Sequence, residues 1–287
     1  MEDAAGVVEV ARRLAAILSA PGSAPLSVRP LAPLPPPARV AAVDGSSAIL
    51  AESGSHLVGA LRVAGVAAGR VERRGLEVHL LEEQDPSGLA AGERLGALRA
   101  GAEHALAATL LAELGRGDLL LLDGSLRAAP ALDDLLERAG DRGVDVVGVC
   151  KSTSLTVSGV PALAACSLAA RDAGAGAWIV ELPAPPNVRG RVLVARLARA
   201  EDRPFRFDVA SSQPERALAR VASLAGHPAA PGYPSPLAMA HQAATILEEE
   251  RRRLALDVME RVAAMGVRGE AWRAAFFDYH EVLELGA

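Results

Sequence analysis

The chain has 287 residues, enough for one large domain or two small ones at roughly 150 residues per domain. Hydrophobic residues make up 51% and charged residues 23%, which excludes general disorder, and two cysteines exclude a disulfide framework. The net charge of −5 excludes a basic coat for nucleic acid but leaves room for a local basic groove.

The start, Met1-Glu2-Asp3, carries acid where a secretory signal carries base. No uncharged apolar run reaches the 18 or so residues of a membrane span. A soluble, cytoplasmic protein with no membrane partner is expected. Of the 30 lysines and arginines only Lys151 is a lysine. Arginine serves wherever positive charge alone is required, so a surviving lysine marks a place where its compact ammonium has a use, or an accident of composition.

In chain order, Val7, Val10, Ala11, Leu14 and Leu18 recur at helical spacing and predict a helix over 3–19. Prolines from Pro21 to Pro37 predict an arm without regular structure over 21–38. A short strand is expected over 39–44. The stretches 57–71 and 76–81 follow as neighbouring strands, making an antiparallel meander. A long helix is expected over 90–115, a buried strand over 119–122, a helix over 130–141 and a second buried strand over 144–149. The region 152–190 reads as looser, with strands at 177–182 and 192–197. Helices are expected over 214–225, over 236 to about 265 with Ser235 as N-cap and Pro236 at the first helical position, and over 269–285. This order is that of an α/β protein with an α+β mixed sheet of the RNase H-like kind. Residues 1–38 would form a helix and proline-rich arm, and 39–287 the main domain.

The sharpest feature is a repeated tripeptide. Asp44-Gly45-Ser46 follows the apolar run 39–43, and Asp123-Gly124-Ser125 follows 119–122. Each aspartate is expected where a strand gives way to a turn freed by glycine. On adjacent strands, about 4.8 Å apart, two such carboxylates could share divalent cations for phosphoryl transfer. Asp-Gly is also common in ordinary turns. Glu103 falls on the helix face of Leu106, Leu110 and Leu114, so its carboxylate needs a partner: a metal, or Arg99 one turn earlier. Glu113, at the edge of that face, is the competing acid.

Lys151 follows a strand and could hold a phosphate oxygen or leaving-group charge. His241 shares a helix face with Leu237 and Ala244, as a ligand for Mn²⁺ or as a hydrogen-bonded core residue. Tyr233, just before that helix, could touch phosphate or merely pack. Asp278-Tyr279-His280 is a weaker candidate. Glu248 to Arg253 reads as ion pairs one turn apart rather than a DNA patch. Cys150 and Cys166 lack metal-site spacing. There is no Walker loop, no dinucleotide fingerprint, no HExxH and no Gly-x-Ser-x-Gly.

Taken together, Val43-Asp44-Gly45-Ser46, Arg99-x-x-x-Glu103, Leu122-Asp123-Gly124-Ser125-Leu126, Val147-Gly148-Val149-Cys150-Lys151-Ser152 and Gly232-Tyr233-Pro234-x-Pro236-Leu237-x-x-Ala240-His241 resemble the NurA nuclease family. The resemblance implies an RNase H-like fold and Mn²⁺-dependent DNA cleavage, with Mg²⁺ as a second cation. It implies single-strand endonuclease and 5′→3′ exonuclease action on single-stranded DNA and duplex ends. It implies a homodimer docked on a HerA-type hexameric ATPase translocase, in end resection for double-strand break repair. Carried over by motif, Asp44, Glu103, Asp123 and His241 would bind metal, and Lys151 and Tyr233 would assist. Two other readings are an actin-like ATPase or sugar kinase, and a catalytically silent DNA-processing subunit.

Overall fold

The computed structural model describes residues 3–19, 26–67, 70–73, 75–198 and 203–276. Its elements run α1 (Asp3–Ser19), β1 (Arg29–Pro30), β2 (Val40–Glu52), β3 (His56–Ala67), β4 (Arg70–Arg73), β5 (Glu77–Glu82), α2 (Ala91–Leu111), β6 (Leu119–Asp123), α3 (Pro130–Arg142) and β7 (Asp145–Cys150). Then come β8 (Thr156–Val157), β9 (Val160–Pro161), α4 (Ala162–Asp172), β10 (Trp178–Leu182), β11 (Arg191–Arg196), β12 (Phe205–Ala210), α5 (Pro214–Ala222), α6 (Ser235–Ala244), α7 (Glu248–Ala264) and α8 (Gly269–Phe276). Among the described residues no helix is long and apolar enough to cross a membrane. The chain forms two compact units: Met1–Ala42 with Leu111–Ala238, and Val43–Leu110 with Met239–Ala287.

In the first unit the strands lie in the order β1-β10-β11-β12-β7-β6. The pair β6–β7 is parallel, and β7–β12, β12–β11, β11–β10 and β10–β1 are antiparallel, so the sheet is mixed. The parallel pair requires a crossover, and α3 supplies it. Pro130 opens α3, Gly143 closes it in the left-handed region, and Leu132, Leu135 and Ala139 form its buried stripe. The run Leu119 to Leu122 is wholly buried, as a strand covered on both faces must be. On α4, Ala162, Cys166 and Ala170 pack on Trp178, Val180, Leu182, Val192 and Val194.

In the second unit β3 lies between β2 and β4, with β5 also paired to β3. Alternation along β3 sends Leu57 and Leu61 toward Ala91 and Leu95 of α2, and Val58 and Ala60 toward Leu254 and Val258 of α7. Gly59 has no side chain because a Cβ there would come within 2.6 Å of Leu95. That close approach seats α2, the helix that carries Glu103, on the strand.

Several sequence expectations are corrected. The arm holds a two-residue strand, with Arg29 opposite Ile179 and Pro30 opposite Trp178; a sheet edge tolerates proline because its missing N–H faces no partner strand. Residues 21–25 of the arm lie outside the described residues. The strand expected to stop at Asp44 runs on to Glu52, so the first Asp-Gly-Ser lies inside a strand, not at a turn. Helix α2 stops at Leu111 instead of 115, because buried Asp118 accepts the backbone N–H groups of Gly115 and Arg39 and turns the chain. The looser region holds a hairpin and a full helix, α4, whose alanine-rich sequence gives little periodic signal. Strand β12 was not foreseen.

The helix expected over 236–265 is two helices. Between them the Thr245 carbonyl accepts from Arg62, the Ile246 N–H donates to Ser46 Oγ, and Arg62 also grips Glu250 with both nitrogens of its fork. These partners replace the helical hydrogen bonds lost at the break. The final helix is described to Phe276, and 277–285 lie outside the described residues.

Phe207, fully buried on β12, tests the packing of the first unit. Phe207→Ala is expected to cost about 3–5 kcal/mol, read from the urea-unfolding midpoint. A loss below about 1 kcal/mol would contradict the packing described here.

Candidate active site

The expected residues fall into two clusters, one in each unit. In the second unit the centre is Asp44 on β2, 1% exposed and flanked by buried Val43. Its Oδ1 accepts the Gly45 N–H at 2.7 Å, and its Oδ2 lies 2.6 Å from His241 Nδ1. An ionised carboxylate only accepts, so Nδ1 carries the proton. The neutral ring then has its lone pair on Nε2. The imidazole is half exposed, while the carboxylate that orients it is buried. A carboxylate fixing the tautomer of a metal-binding histidine is a common arrangement around metal ions.

Glu103 is buried on α2, on the face of Leu106 and Leu110 as its spacing predicts. Arg99 Nη1 donates to its Oε1 at 2.7 Å and to the Gly45 carbonyl at 3.1 Å. Of the two partners weighed for Glu103, the arginine one turn away is therefore present. A Cβ at Gly45 would lie 2.4 Å from Glu103 Oε1. Gly45 is thus needed for close approach of a carboxylate, not for a turn. Glu113, the competing acid, is exposed beyond the end of α2.

In the first unit Asp123 ends β6, as expected of a strand-end aspartate. Lys151 directly follows β7, the parallel neighbour of β6. Its Nζ lies 3.0 Å from Asp123 Oδ1 and 3.1 Å from Oδ2. The Tyr233 hydroxyl donates to Asp123 Oδ1 at 2.8 Å. The tyrosine ring is buried, edge-on to Phe205 at 5.4 Å, and Lys151 Nζ is 5.6 Å from its centroid. The lone lysine, the second Asp-Gly-Ser and the tyrosine therefore meet in one cluster.

Among the described residues no group of three or more His, Cys, Asp and Glu side chains is gathered closely enough to hold a metal ion. Glu103 is paired with Arg99, and Asp123 with Lys151 and Tyr233. Within the second unit, Asp44, Glu103 and His241 offer carboxylate oxygen and one imidazole, donor chemistry that suits a hard or borderline divalent cation. The opening above Gly45, which only a missing side chain provides, brings Glu103 to the strand position next to Asp44.

Of the remaining candidates, Glu248 is ion-paired and the two cysteines are buried. Glu248 pairs with Arg251 and Arg252, which hold its carboxyl down at about 2, in agreement with the ion-pair reading. Cys150 and Cys166 are buried, and burial pushes both thiols up to about 12. Asp278-Tyr279-His280 lies outside the described residues. Sequence reasoning missed Arg206 and Asp208, a buried ion pair on β12. Their signal was available in Phe205-Arg206-Phe207-Asp208-Val209, where two opposite charges alternate with core residues on one strand.

Residues 38–159 match the family model of the NurA domain. No curated protein sequence matches the chain. Among solved structures, the NurA nuclease from Sulfolobus solfataricus is similar at a TM-score of 0.61 and 14% identity, over 92% of this chain and 95% of that one. A NurA with manganese is similar at 0.60 and 11%, over 88% and 97%. A NurA bound to dAMP and manganese is similar at 0.57 and 12%, over 87% and 92%. At these identities the likeness establishes the fold, which is RNase H-like, as the sequence resemblance implied.

Gly45→Ala is expected to displace Glu103 and to destabilise the protein by about 1–3 kcal/mol, the usual cost of overpacking. Thermal unfolding measures it, and an unchanged melting temperature would contradict the close approach described.

Proposed function

The resemblance to the NurA family holds in sequence over residues 38–159 and in fold over most of the chain, and from it we propose that this protein is a divalent-metal-dependent DNA nuclease. The observation that carries the reading is the chemistry of the two clusters. Asp44 and Asp123 each stand in a repeated Asp-Gly-Ser, and each is held by a group useful in phosphodiester hydrolysis: an imidazole for one, an ammonium and a phenol for the other.

Asp44, Glu103, Asp123 and His241 would hold the cation, Mn²⁺ by preference and Mg²⁺ as a second choice. When bound, it supplies Lewis-acid polarisation of the scissile phosphate and charge stabilisation for the attacking and leaving oxygens. The protein's own groups do the rest. Asp44 keeps the proton of His241 on Nδ1 and so presents the lone pair of Nε2. Arg99 balances the charge of Glu103 and holds its carboxylate beside Gly45. Lys151 brings a compact positive charge that can meet a phosphate oxygen while staying beside Asp123. Tyr233 steadies the Asp123 carboxylate through its hydroxyl.

A structure of a NurA bound to dAMP and manganese supports this reading, because a nucleoside monophosphate is the unit an exonuclease releases. The finer reading follows the resemblance: single-strand endonuclease and 5′→3′ exonuclease action, homodimers on a HerA-type translocase, and end resection for break repair in the cytoplasm. In this reading 1–38 is an arm on a nuclease domain spanning 39–287. With aromatics at 3%, base-stacking platforms are few, so tracking of the DNA backbone without sequence preference is expected.

The test is degradation of end-labelled single-stranded and duplex DNA with Mn²⁺, Mg²⁺ or chelator. Single-stranded DNA is expected to be degraded with Mn²⁺ and to survive with chelator. Asp44→Ala and Asp123→Ala should each lower the rate by about 100-fold or more with the fold intact, and Lys151→Arg by about tenfold. Cleavage that persists with chelator, or wild-type rates in either aspartate variant, would contradict the proposal.

A further inference from the structure

The Arg206–Asp208 pair has no place in the chemistry above, yet it is among the most buried charge of the described residues. Asp208 is fully buried and Arg206 is 6% exposed. Asp208 Oδ1 accepts Arg206 Nε at 2.8 Å. Its Oδ2 accepts three donors: the Ser125 hydroxyl at 2.6 Å, the Leu126 N–H at 3.0 Å and Arg206 Nη2 at 3.0 Å. The guanidinium also donates to Ser125 Oγ at 3.2 Å and, through Nη1, to Thr153 Oγ1 at 3.3 Å.

These partners belong to two particular segments. Ser125 and Leu126 follow Asp123, and Thr153 follows Lys151. In the sheet β7 lies between β6 and β12, so segment 124–126 must cross β7 to reach Asp208. It crosses at Gly148, the register partner of Asp208. A Cβ at Gly148 would lie 2.6 Å from the Gly124 carbonyl oxygen and 3.0 Å from Leu126. The crossing is fixed further by the Gly124 N–H, which donates to the Val149 carbonyl at 2.9 Å. A buried carboxylate without donors is very costly, so Asp208 holds its loop firmly. The planar five-donor fork of arginine lets one side chain serve Asp208, Ser125 and Thr153 together.

We infer that Arg206 and Asp208, with Gly148 as the crossing point, are positioning residues that set the spacing of Lys151 and Asp123. Its catalytic consequence rests on the nuclease reading above; its structural content does not.

The single lysine makes the spacing directly observable. In full-length protein labelled with [¹³Cε]lysine, the only lysine side-chain methylene signal is that of Lys151. Asp123→Asn defines the signal of the broken pair. In Asp208→Asn and in Gly148→Ala, the Lys151 signal is expected to move at least halfway toward that position. On single-stranded DNA with Mn²⁺, both variants should lose about tenfold in kcat with KM unchanged within twofold. Should Asp208→Asn fail to fold, Ser125→Ala, which removes one hydroxyl and keeps the ion pair, is expected to shift the signal in the same direction. A wild-type signal in the folded variants would overturn the inference, as would a shifted signal with wild-type kcat. A shifted signal in a protein without nuclease activity would sustain the brace and overturn the nuclease reading instead.

Discussion

A carboxylate removed from water must find donors within the protein or give up its charge, and that constraint organises this molecule. Among the described residues four acids are buried: Asp44, Glu103, Asp118 and Asp208. Asp118 takes two backbone N–H groups and ends α2. Asp208 takes Arg206, a serine and a backbone N–H, and ties down the loop behind Asp123. Asp44 takes a backbone N–H and His241, and Glu103 takes Arg99. Two of the four shape the chain. The other two are the acids proposed to receive a cation, and each already has a polar partner suited to holding it in register.

Glycine has a matching role. At Gly45, Gly59 and Gly148 the missing side chain admits, respectively, Glu103, Leu95 and the Gly124 carbonyl. None of the three has positive φ, so the reason is space and not backbone freedom. This is why the two Asp-Gly-Ser motifs look alike in sequence and differ in structure. Gly124 does take a left-handed conformation at a turn, with φ of 93°, whereas Gly45 lies inside a strand beneath a carboxylate.

Most of the elements that position the clusters were legible in the sequence, because their signals are local. The apolar runs ending near Asp123 and Lys151 and the helical spacing of Glu103 with Leu106 and Leu110 needed no knowledge of distant residues, whereas α6 starts one residue earlier than its Ser-Pro signal suggests, with Ser235 already helical and the Pro234 carbonyl accepting from Ala238. Helix α4 was hidden by alanine, which weakens any apolar stripe. The break at 245–247 depends on Arg62, far away in sequence, and β12 was missed because its charges interrupt an apolar run. The pairing of His241 with Asp44 and of Tyr233 with Asp123 could not be read from spacing either, since each joins residues more than 100 positions apart. The family resemblance named those residues; the geometry gives each a partner.

Manganese binding by the protein alone, followed by loss of the free-ion signal in electron paramagnetic resonance, tests most directly the proposal that Asp44 and Asp123 serve a metal-dependent reaction. The account predicts saturable binding in the wild-type protein, and its loss in Asp44→Asn and Asp123→Asn alike. Binding that persists at wild-type strength in either folded variant would contradict it.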